Sequence, residues 1–191
     1  MAHVVCFVLK PGVNRERIRA VAARAGLALA NRIEGDGSRL SYEEAWAMPD
    51  RMTAVNYVED PIVNLAYLVF RGENIDDLIG KLIPELPAFT HREALDMAKT
   101  GQTRNDQVRA LYRIAVMFPE YNAEAFEVMR EYSTKAQDPV LREAAVDAMV
   151  YRCWPEFIGL LEHIERNDPD KNVRQRASEI LPHVRAANPS S

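Results

Sequence analysis

The residues that most often bind metals are few and scattered in this sequence. It has four histidines, and no HExxH, CxxC or clustered His/Asp spacing connects them. These histidines are His3, His91, His163 and His183. Because a metal site in a protein needs several ligands at suitable spacings, the pattern predicts unrelated histidines, no metal site and no cofactor.

The nucleophiles and carboxylates also lack the neighbours that catalysis requires. Cys153 precedes Trp154-Pro155 at an expected turn between helices with no adjacent base, and the sequence has no GxSxG, P-loop or GxGxxG motif. Adjacent acids such as Glu43-Glu44 and Glu59-Asp60 have simpler roles in caps or turns, although the Glu59-Asp60 pair is the least well explained. The chain is therefore predicted not to be an enzyme.

Charge and hydropathy narrow the class of protein further. The formal net charge is −4 over 191 residues and the sequence pI is about 5.6. A general nucleic-acid binder usually carries a basic face, so nucleic acid is an unfavoured partner. No apolar run is long enough to span a membrane and the first residues do not resemble a signal peptide, so we expect a cytoplasmic protein without membrane contact. The sequence does not indicate an oligomeric state.

The first part of the chain mixes strand and helix patterns. Strands are predicted at 3–10, 53–58 and 62–71, the last two as an antiparallel hairpin turning at Glu59-Asp60-Pro61. Helices are predicted at 14–30, from the SYEE capping box at 41–44 through Trp46, and at 75–83 with Asn74 as its cap. The expected fold class is α+β, with a small α/β sandwich of order β-α-β-β-α at residues 1–87.

The second part repeats one line of sequence three times. NDQVRALYRIAV (105–116), DPVLREAAVDAM (138–149) and DKNVRQRASEIL (170–181) place Arg109, Arg142 and Arg174 at intervals of 33 and 32 residues. Each line opens on a residue that commonly caps helices, namely Asn105, Asp138 and Asp170. Further helices are predicted at 122–136 and 155–166. A period in the thirties with two helices per unit is typical of an α-solenoid.

These lines resemble HEAT repeats, whose helices often begin with Asp, then Val-Arg, then alanines. The resemblance covers roughly residues 91–184 and implies a short HEAT-like α-solenoid at 88–191, whereas residues 1–87 resemble no family we recognise. It also implies that the repeated residues are structural, with each arginine packing between units and bonding a neighbouring acid or carbonyl. This set is Arg109, Arg142, Arg174, Asp138 and Asp170.

The non-repeated aromatic residues are the candidates for partner contact. Trp154, Tyr151 and Arg152 lie at a turn between two repeat helices, and Tyr112, Arg113 and Tyr121 could extend the same surface. Aromatic residues and arginine are enriched at interface hot spots, although a core role for Trp154 is the simpler interpretation. We therefore predict a non-catalytic protein–protein interaction module, a scaffold, accessory or inhibitor that binds a partner protein through the helical-repeat surface.

Two alternative functions come from other proteins with HEAT-like folds. One is a DNA glycosylase, for which Trp154, Asp147 and Arg142 are residues of the right types, and it would need a positive groove. The other is a lyase or chaperone of bilin pigments, and it would need a pocket of tetrapyrrole size. The α+β start departs from both families. It could instead cap the first repeat or recognise the partner itself.

Overall fold

The computed structural model describes residues 4–50 and 52–189. The chain forms two compact units, Met1–Thr90 and His91–Ser191, whereas the sequence-based boundary lies between residues 87 and 88. The fold class is α+β, as the sequence predicts. Within the described ranges, no helix is both long enough and apolar enough to cross a membrane.

The first unit is built on a five-stranded antiparallel sheet of order β1-β5-β4-β3-β2. β2 to β5 follow one another as a meander, and β1 pairs with β5 at the far side. The strands are β1 (Val4–Val8), β2 (Ala28–Ile33), β3 (Tyr42–Ala47), β4 (Thr53–Asp60) and β5 (Leu65–Gly72). The helices are α1 (Arg15–Arg24), α2 (Ile75–Leu82) and a short 3-10 helix (Ile83–Glu85).

The predicted order β-α-β-β-α lacks β2 and β3, because one predicted helix is too long and another is wrong. The helix predicted at 14–30 ends at Arg24, because Gly26 takes a left-handed φ of 82°, and the chain continues as β2. The short helix predicted after SYEE is β3 instead. Its buried side chains are Tyr42, Glu44 and Trp46, which alternate with the period of two that a strand requires. The local sequence favours a helix here because the middle core position of the strand is a glutamate.

The predicted β4–β5 hairpin is confirmed, with details that differ. Glu59 and Asp60 are the last residues of β4 rather than the turn, and the Asp60 carboxylate accepts a hydrogen bond from the Ile62 N–H at 2.9 Å. Asn74 precedes α2 as predicted. However, its backbone is left-handed (φ 54°) and its side chain makes no capping hydrogen bond.

The core of the first unit lies between the sheet and its two helices. The apolar faces of α1 and α2 pack on the strand residues Trp46, Val55, Tyr57, Leu68 and Phe70. The helix residues in this core are Ile18, Val21 and Ala22 from α1, and Ile75, Leu78 and Leu82 from α2. Helical spacing brings each set onto one face, so this packing fixes the face of α1 that meets β3 and β4.

The second unit consists of helices in two layers. α3, α5 and α7 contact one another in succession, as do α4, α6 and α8, and the pairs α3/α4, α5/α6 and α7/α8 pack together. The helices are α3 (His91–Thr100), α4 (Arg104–Met117), α5 (Ala123–Lys135), α6 (Pro139–Met149), α7 (Phe157–Asn167) and α8 (Lys171–Ala187). The three repeated lines of sequence form α4, α6 and α8, and therefore one layer.

The ends of these helices agree with the sequence in two of three copies. Asp138 accepts a hydrogen bond from the Val140 N–H at 3.0 Å, and Asp170 accepts one from Asn172 at 2.8 Å. Asn105 is not a cap. It lies inside α4, where Thr103 takes the capping role and accepts from the Asp106 N–H at 3.2 Å.

Candidate functional site

Trp154 lies within an aromatic cluster rather than at the surface. Its side chain is 5% exposed and stacks on Phe157 with ring centroids 5.0 Å apart. Tyr121 meets the indole edge-on at 5.6 Å, and Phe126 also stacks on Phe157, with ring centroids 5.6 Å apart. Of the predicted contact residues in this cluster, Tyr121 (48% exposed) is the one that a partner could reach.

The two arginines of the predicted patch are engaged within the helical unit. The Arg152 guanidinium donates to the carbonyl oxygens of Ala115 and Val116 near the end of α4. A cation at a helix C-terminus is favoured by the exposed carbonyls and the helix dipole. Arg113 is buried, and its burial lowers its pKa below the ordinary value. Both side chains therefore support the fold of this unit.

Tyr112 and Tyr151 are half-buried and meet edge-on, with ring centroids 6.0 Å apart. Burial raises the pKa of Tyr112, and the nearby carboxylate of Asp147 raises it further. Asp147 forms an ion pair with Arg176 of α8. Aromatic and charged side chains thus form one continuous row across α4, α6 and α8. We call these four residues the cross-helix row.

The repeated arginines bind the loops between helices. Arg142 donates to both carboxylate oxygens of Asp168 (2.8 and 3.0 Å) and to the carbonyl of Ala136 (2.8 Å). Arg174 donates to the carbonyls of Asp168 (2.6 Å) and Pro169 (3.2 Å). The loop carbonyls lie five and six residues before the arginine in both copies, so the contact repeats with the sequence.

The first copy of the repeat behaves differently. Arg109 is exposed, and among the described residues no hydrogen bond or ion pair is found for its side chain. Arg104 instead reaches Asp138 at the start of α6, with 2.5 Å between Nε and the carboxylate oxygen. The first and second copies are therefore tied by a residue other than the repeated arginine.

The constellation expected for a DNA glycosylase is occupied by internal contacts. Arg142 is held by Asp168, Asp147 by Arg176, and Trp154 is buried against Phe157. Among residues 4–50 and 52–189, no group of three or more His, Cys, Asp or Glu side chains is arranged to hold a metal ion.

A polar network in the first unit was not predicted as a site. On the helix-facing side of the sheet, Tyr42 lies opposite Glu59, and Glu44 lies opposite Tyr57. Each tyrosine hydroxyl donates along its own strand, Tyr42 to Glu44 at 2.6 Å and Tyr57 to Glu59 at 2.7 Å. The two Tyr-x-Glu segments therefore form a square of alternating tyrosines and glutamates.

Arginines from α1 and β2 complete this α1–sheet network. Arg15 donates twice to Glu59 (2.8 and 2.6 Å), and Arg19, four residues later on α1, donates twice to Glu44 (2.9 and 2.7 Å). Arg32 of β2 donates to the same Glu44 oxygen at 3.1 Å. The other oxygen of this fully buried carboxylate, Oε2, has no hydrogen-bond partner among the described residues.

In this network, the cost of burying a charged group is offset by hydrogen bonds and opposite charges. Burial alone would raise the pKa of Glu44, but hydrogen bonds from Arg19 and Tyr42, together with the charges of Arg19 and Arg32, hold that pKa below its ordinary value. The pKa of Glu59 is lowered by its hydrogen bonds with Arg15. Both glutamates are therefore ionised at neutral pH, and we interpret the network chiefly as a link between α1 and the sheet.

The repeated Tyr-x-Glu pattern is the sequence signal that could have revealed this network, together with arginines four residues apart on one helix.

Comparison of the chain with protein-family models, with curated proteins and with solved structures finds no match. Its function must therefore be argued from its own residues.

Proposed function

We propose that the chain is a non-catalytic protein–protein interaction module and that it binds a partner protein through the layer formed by α4, α6 and α8. The observation that carries this proposal is the cross-helix row of Tyr112, Tyr151, Asp147 and Arg176. Tyrosine and arginine side chains on rigid, adjacent helices have the composition of interface hot spots. The role would be that of a scaffold, accessory or inhibitor.

The arrangement of the helices supports a HEAT-like interpretation of this layer. Three pairs of helices stack in two layers, and the loop contacts of Arg142 recur at Arg174. A stack of this kind offers an extended surface built from successive helices, which suits a folded partner or a long segment of one.

The charges at the cross-helix row favour a protein over a nucleic acid. Arg176 forms ion pairs with Asp147 and Glu179, and the charge of Glu143 also acts on Tyr112. Phosphate binding requires a surplus of basic groups, and at this row three acids accompany one arginine. The cytoplasmic location and the absence of catalysis remain predictions of the sequence.

A binding experiment tests the proposal without disturbing the core. Tagged wild-type protein and a Tyr151→Ala/Glu143→Lys variant would be used to capture partners from the source cell, and the captured proteins would be compared by mass spectrometry. Both substituted side chains are partly exposed on the α6 side of the layer. Glu165→Lys on α7 in the other layer is the control, since it makes the same change of charge.

We expect the α6 variant to lose a partner that the wild type and the α7 control retain. The helical content and melting temperature of all three proteins must match, so that unfolding is excluded. If the folded α6 variant captures the same partners as the wild type, the α4/α6/α8 layer is not the binding surface.

A further inference from the structure

β2 forms an open edge of the sheet. It is last in the strand order, pairs with β3 on one side, and all six of its residues are exposed. The opposite edge is partly covered, because the Val8 carbonyl accepts a hydrogen bond from the Phe89 N–H and the Lys10 N–H donates to the Pro87 carbonyl, both at 2.8 Å. The backbone groups on the outer side of β2 can therefore pair with another strand.

Opposite charges lie on either side of Ile33, where this edge ends. Arg32 lies opposite Glu44 on the helix-facing side of the sheet, and Ile33 lies opposite Glu43 on the other side. Glu34 shares the face of Arg32, because side chains of an extended chain alternate, and its Oε1 is 3.9 Å from the Arg32 Nη1. The three successive residues of the edge are therefore basic, apolar and acidic.

All three side chains can make a further contact on their outer side. Nε and Nη2 of Arg32 both lie 3.1 Å from Glu44 Oε1, but Nη1 is left with the 3.9 Å contact to Glu34, which is too long for a hydrogen bond. The Glu34 side chain is 72% exposed, and the Ile33 residue is 39% exposed. An added strand would supply the neighbours that these side chains lack.

We propose that β2 pairs with β2 of a second copy of the chain, as antiparallel strands related by a two-fold axis at Ile33. In this pair Ile33 lies opposite Ile33 of the second copy, and Arg32 lies opposite Glu34 of the second copy. Each ion pair forms twice, because a two-fold interface uses the same residues from both subunits. Opposite charges directly across a strand pair stabilise it, and the two isoleucines cover each other on the other face.

The mixed charge of the edge is what selects this occupant. An acidic strand would meet Glu34 as well as Arg32, and a basic strand would meet Arg32 as well as Glu34, so each would place like charges across the pair. A strand that complements both positions must carry an acid opposite Arg32 and a base opposite Glu34. Read along an antiparallel strand, that order is basic, apolar, acidic, which is the order of Arg32, Ile33 and Glu34 themselves.

The paired segment avoids the irregular part of β2. The register with β3 shifts between Leu29 and Asn31, but Asn31, Arg32 and Ile33 pair with β3 in unbroken succession. The contact is short, so we expect a weak interface that depends on protein concentration. This inference does not rest on the proposed function, since it uses residues of the first unit and not the α4/α6/α8 layer.

Sedimentation velocity of the full chain over roughly 5–500 µM tests the association. We expect the sedimentation coefficient to rise with concentration toward that of a dimer. Glu34→Lys places like charges across the pair twice, so it should weaken association roughly tenfold. Glu73→Lys makes the same change of charge at an exposed residue after β5 and should associate like the wild type. Circular dichroism checks that both variants are folded.

Cysteine cross-linking tests the two-fold register. Leu29 and Ile33 are both well exposed, at 49% and 39%. Ile33→Cys places a thiol opposite its own copy, within reach of a disulfide, whereas the two copies of Leu29→Cys would lie more than about 20 Å apart along the strands. On mild oxidation we expect Ile33→Cys to form a linked dimer above the level of the unchanged chain, which contains Cys6 and Cys153. Leu29→Cys should stay at that level.

Three results would each overturn the proposal. The first is a wild-type chain that stays monomeric over the whole concentration range. The second is a folded Glu34→Lys variant that associates as tightly as the wild type, since the ion pairs would then be absent from the interface. The third is equal cross-linking of Ile33→Cys and Leu29→Cys, since the strands would then not pair about Ile33.

Discussion

Arg142 and Asp168 form a bidentate ion pair, and both side chains are almost fully buried, at 8% and 3% exposure. The pair joins α6 to the loop before α8, and the Asp168 carboxylate also accepts the Asp170 N–H at 2.8 Å. Because every charged group in it has several hydrogen bonds, the pair holds the two helices in register. Removing one partner would leave the other buried without its counter-charge.

We therefore expect Arg142→Met and Asp168→Asn each to lower the free energy of unfolding of the helical unit by about 3–5 kcal/mol. Arg109→Ala, which replaces the exposed arginine at the same position of the first copy, should change it by less than about 0.5 kcal/mol. Trp154 is the only tryptophan of this unit, so urea unfolding followed by its fluorescence in a Trp46→Phe background gives the measurement. Additive effects in the double variant would contradict a coupled pair.

The contacts of Arg142 and Arg174 show what the repeat in the sequence encodes. The phase of Asp138, Arg142 and the following alanines follows from helix capping and from a 3.6-residue period, and both are local. The repeat predicts a cap at Asn105, because this residue aligns with Asp138 and Asp170. The structure has the cap at Thr103, two residues earlier, so the repeat alone does not determine which of two neighbouring capping residues begins α4.

The α1–sheet network was hidden for a different physical reason. Glu44 occupies a core position, and sequence patterns treat a glutamate as exposed because an unpaired buried charge is too costly. Its cost is offset here by Arg19, Arg32 and Tyr42, which come from three different elements. Such pairing between elements is not visible until the strand order is known, and so the sequence alone predicts a helix where the structure has β3.

We expect Trp154→Ala to destabilise the helical unit, so this substitution cannot test partner binding. The indole fills the space between Tyr121 and Phe157, and removal of a buried tryptophan costs about 3–5 kcal/mol. Trp154→Phe should cost less, partly because the indole Nε1 has no hydrogen-bond partner among the described residues. Thermal unfolding of the three proteins by circular dichroism checks the order. A Trp154→Ala protein that melts with the wild type would show that the cluster is not structural.

The α1–sheet network should make the first unit sensitive to acid. Because pairing lowers the pKa of Glu44 and Glu59 in the folded state, both contribute stability that is present above the ordinary value of 4.5. That stability is lost as the pH falls through 4.5 toward the lower folded values. We expect the urea concentration at the unfolding midpoint of this unit to decrease as the pH is lowered below 4.5. Unfolding is followed by Trp46 fluorescence in a Trp154→Phe background.

Glu44→Gln should lower stability at neutral pH and flatten this dependence, because one of the two titrating groups is gone. Glu43→Gln, on the other face of β3, is the matched control and should follow the parent curve. A Glu44→Gln protein with the same acid dependence as its parent would show that the network does not set it.

Alanine substitutions at Gly72 and Gly12 distinguish two effects of an added side chain, namely backbone strain and steric overlap. Both have positive φ, 113° and 94°, so alanine at either position carries the strain of a left-handed backbone, about 1–2 kcal/mol. At Gly12 no atom lies within 4 Å of an added Cβ, whereas at Gly72 the Cβ would overlap the carbonyl oxygen of Met52 beside β4. Gly72 also pairs with Thr53, so the backbone there cannot shift without opening the hairpin. We expect Gly12→Ala to show the strain alone and Gly72→Ala to be clearly less stable in urea. Equal stabilities of the two variants would mean that the backbone at this end of the β4–β5 hairpin shifts enough to accommodate the added side chain.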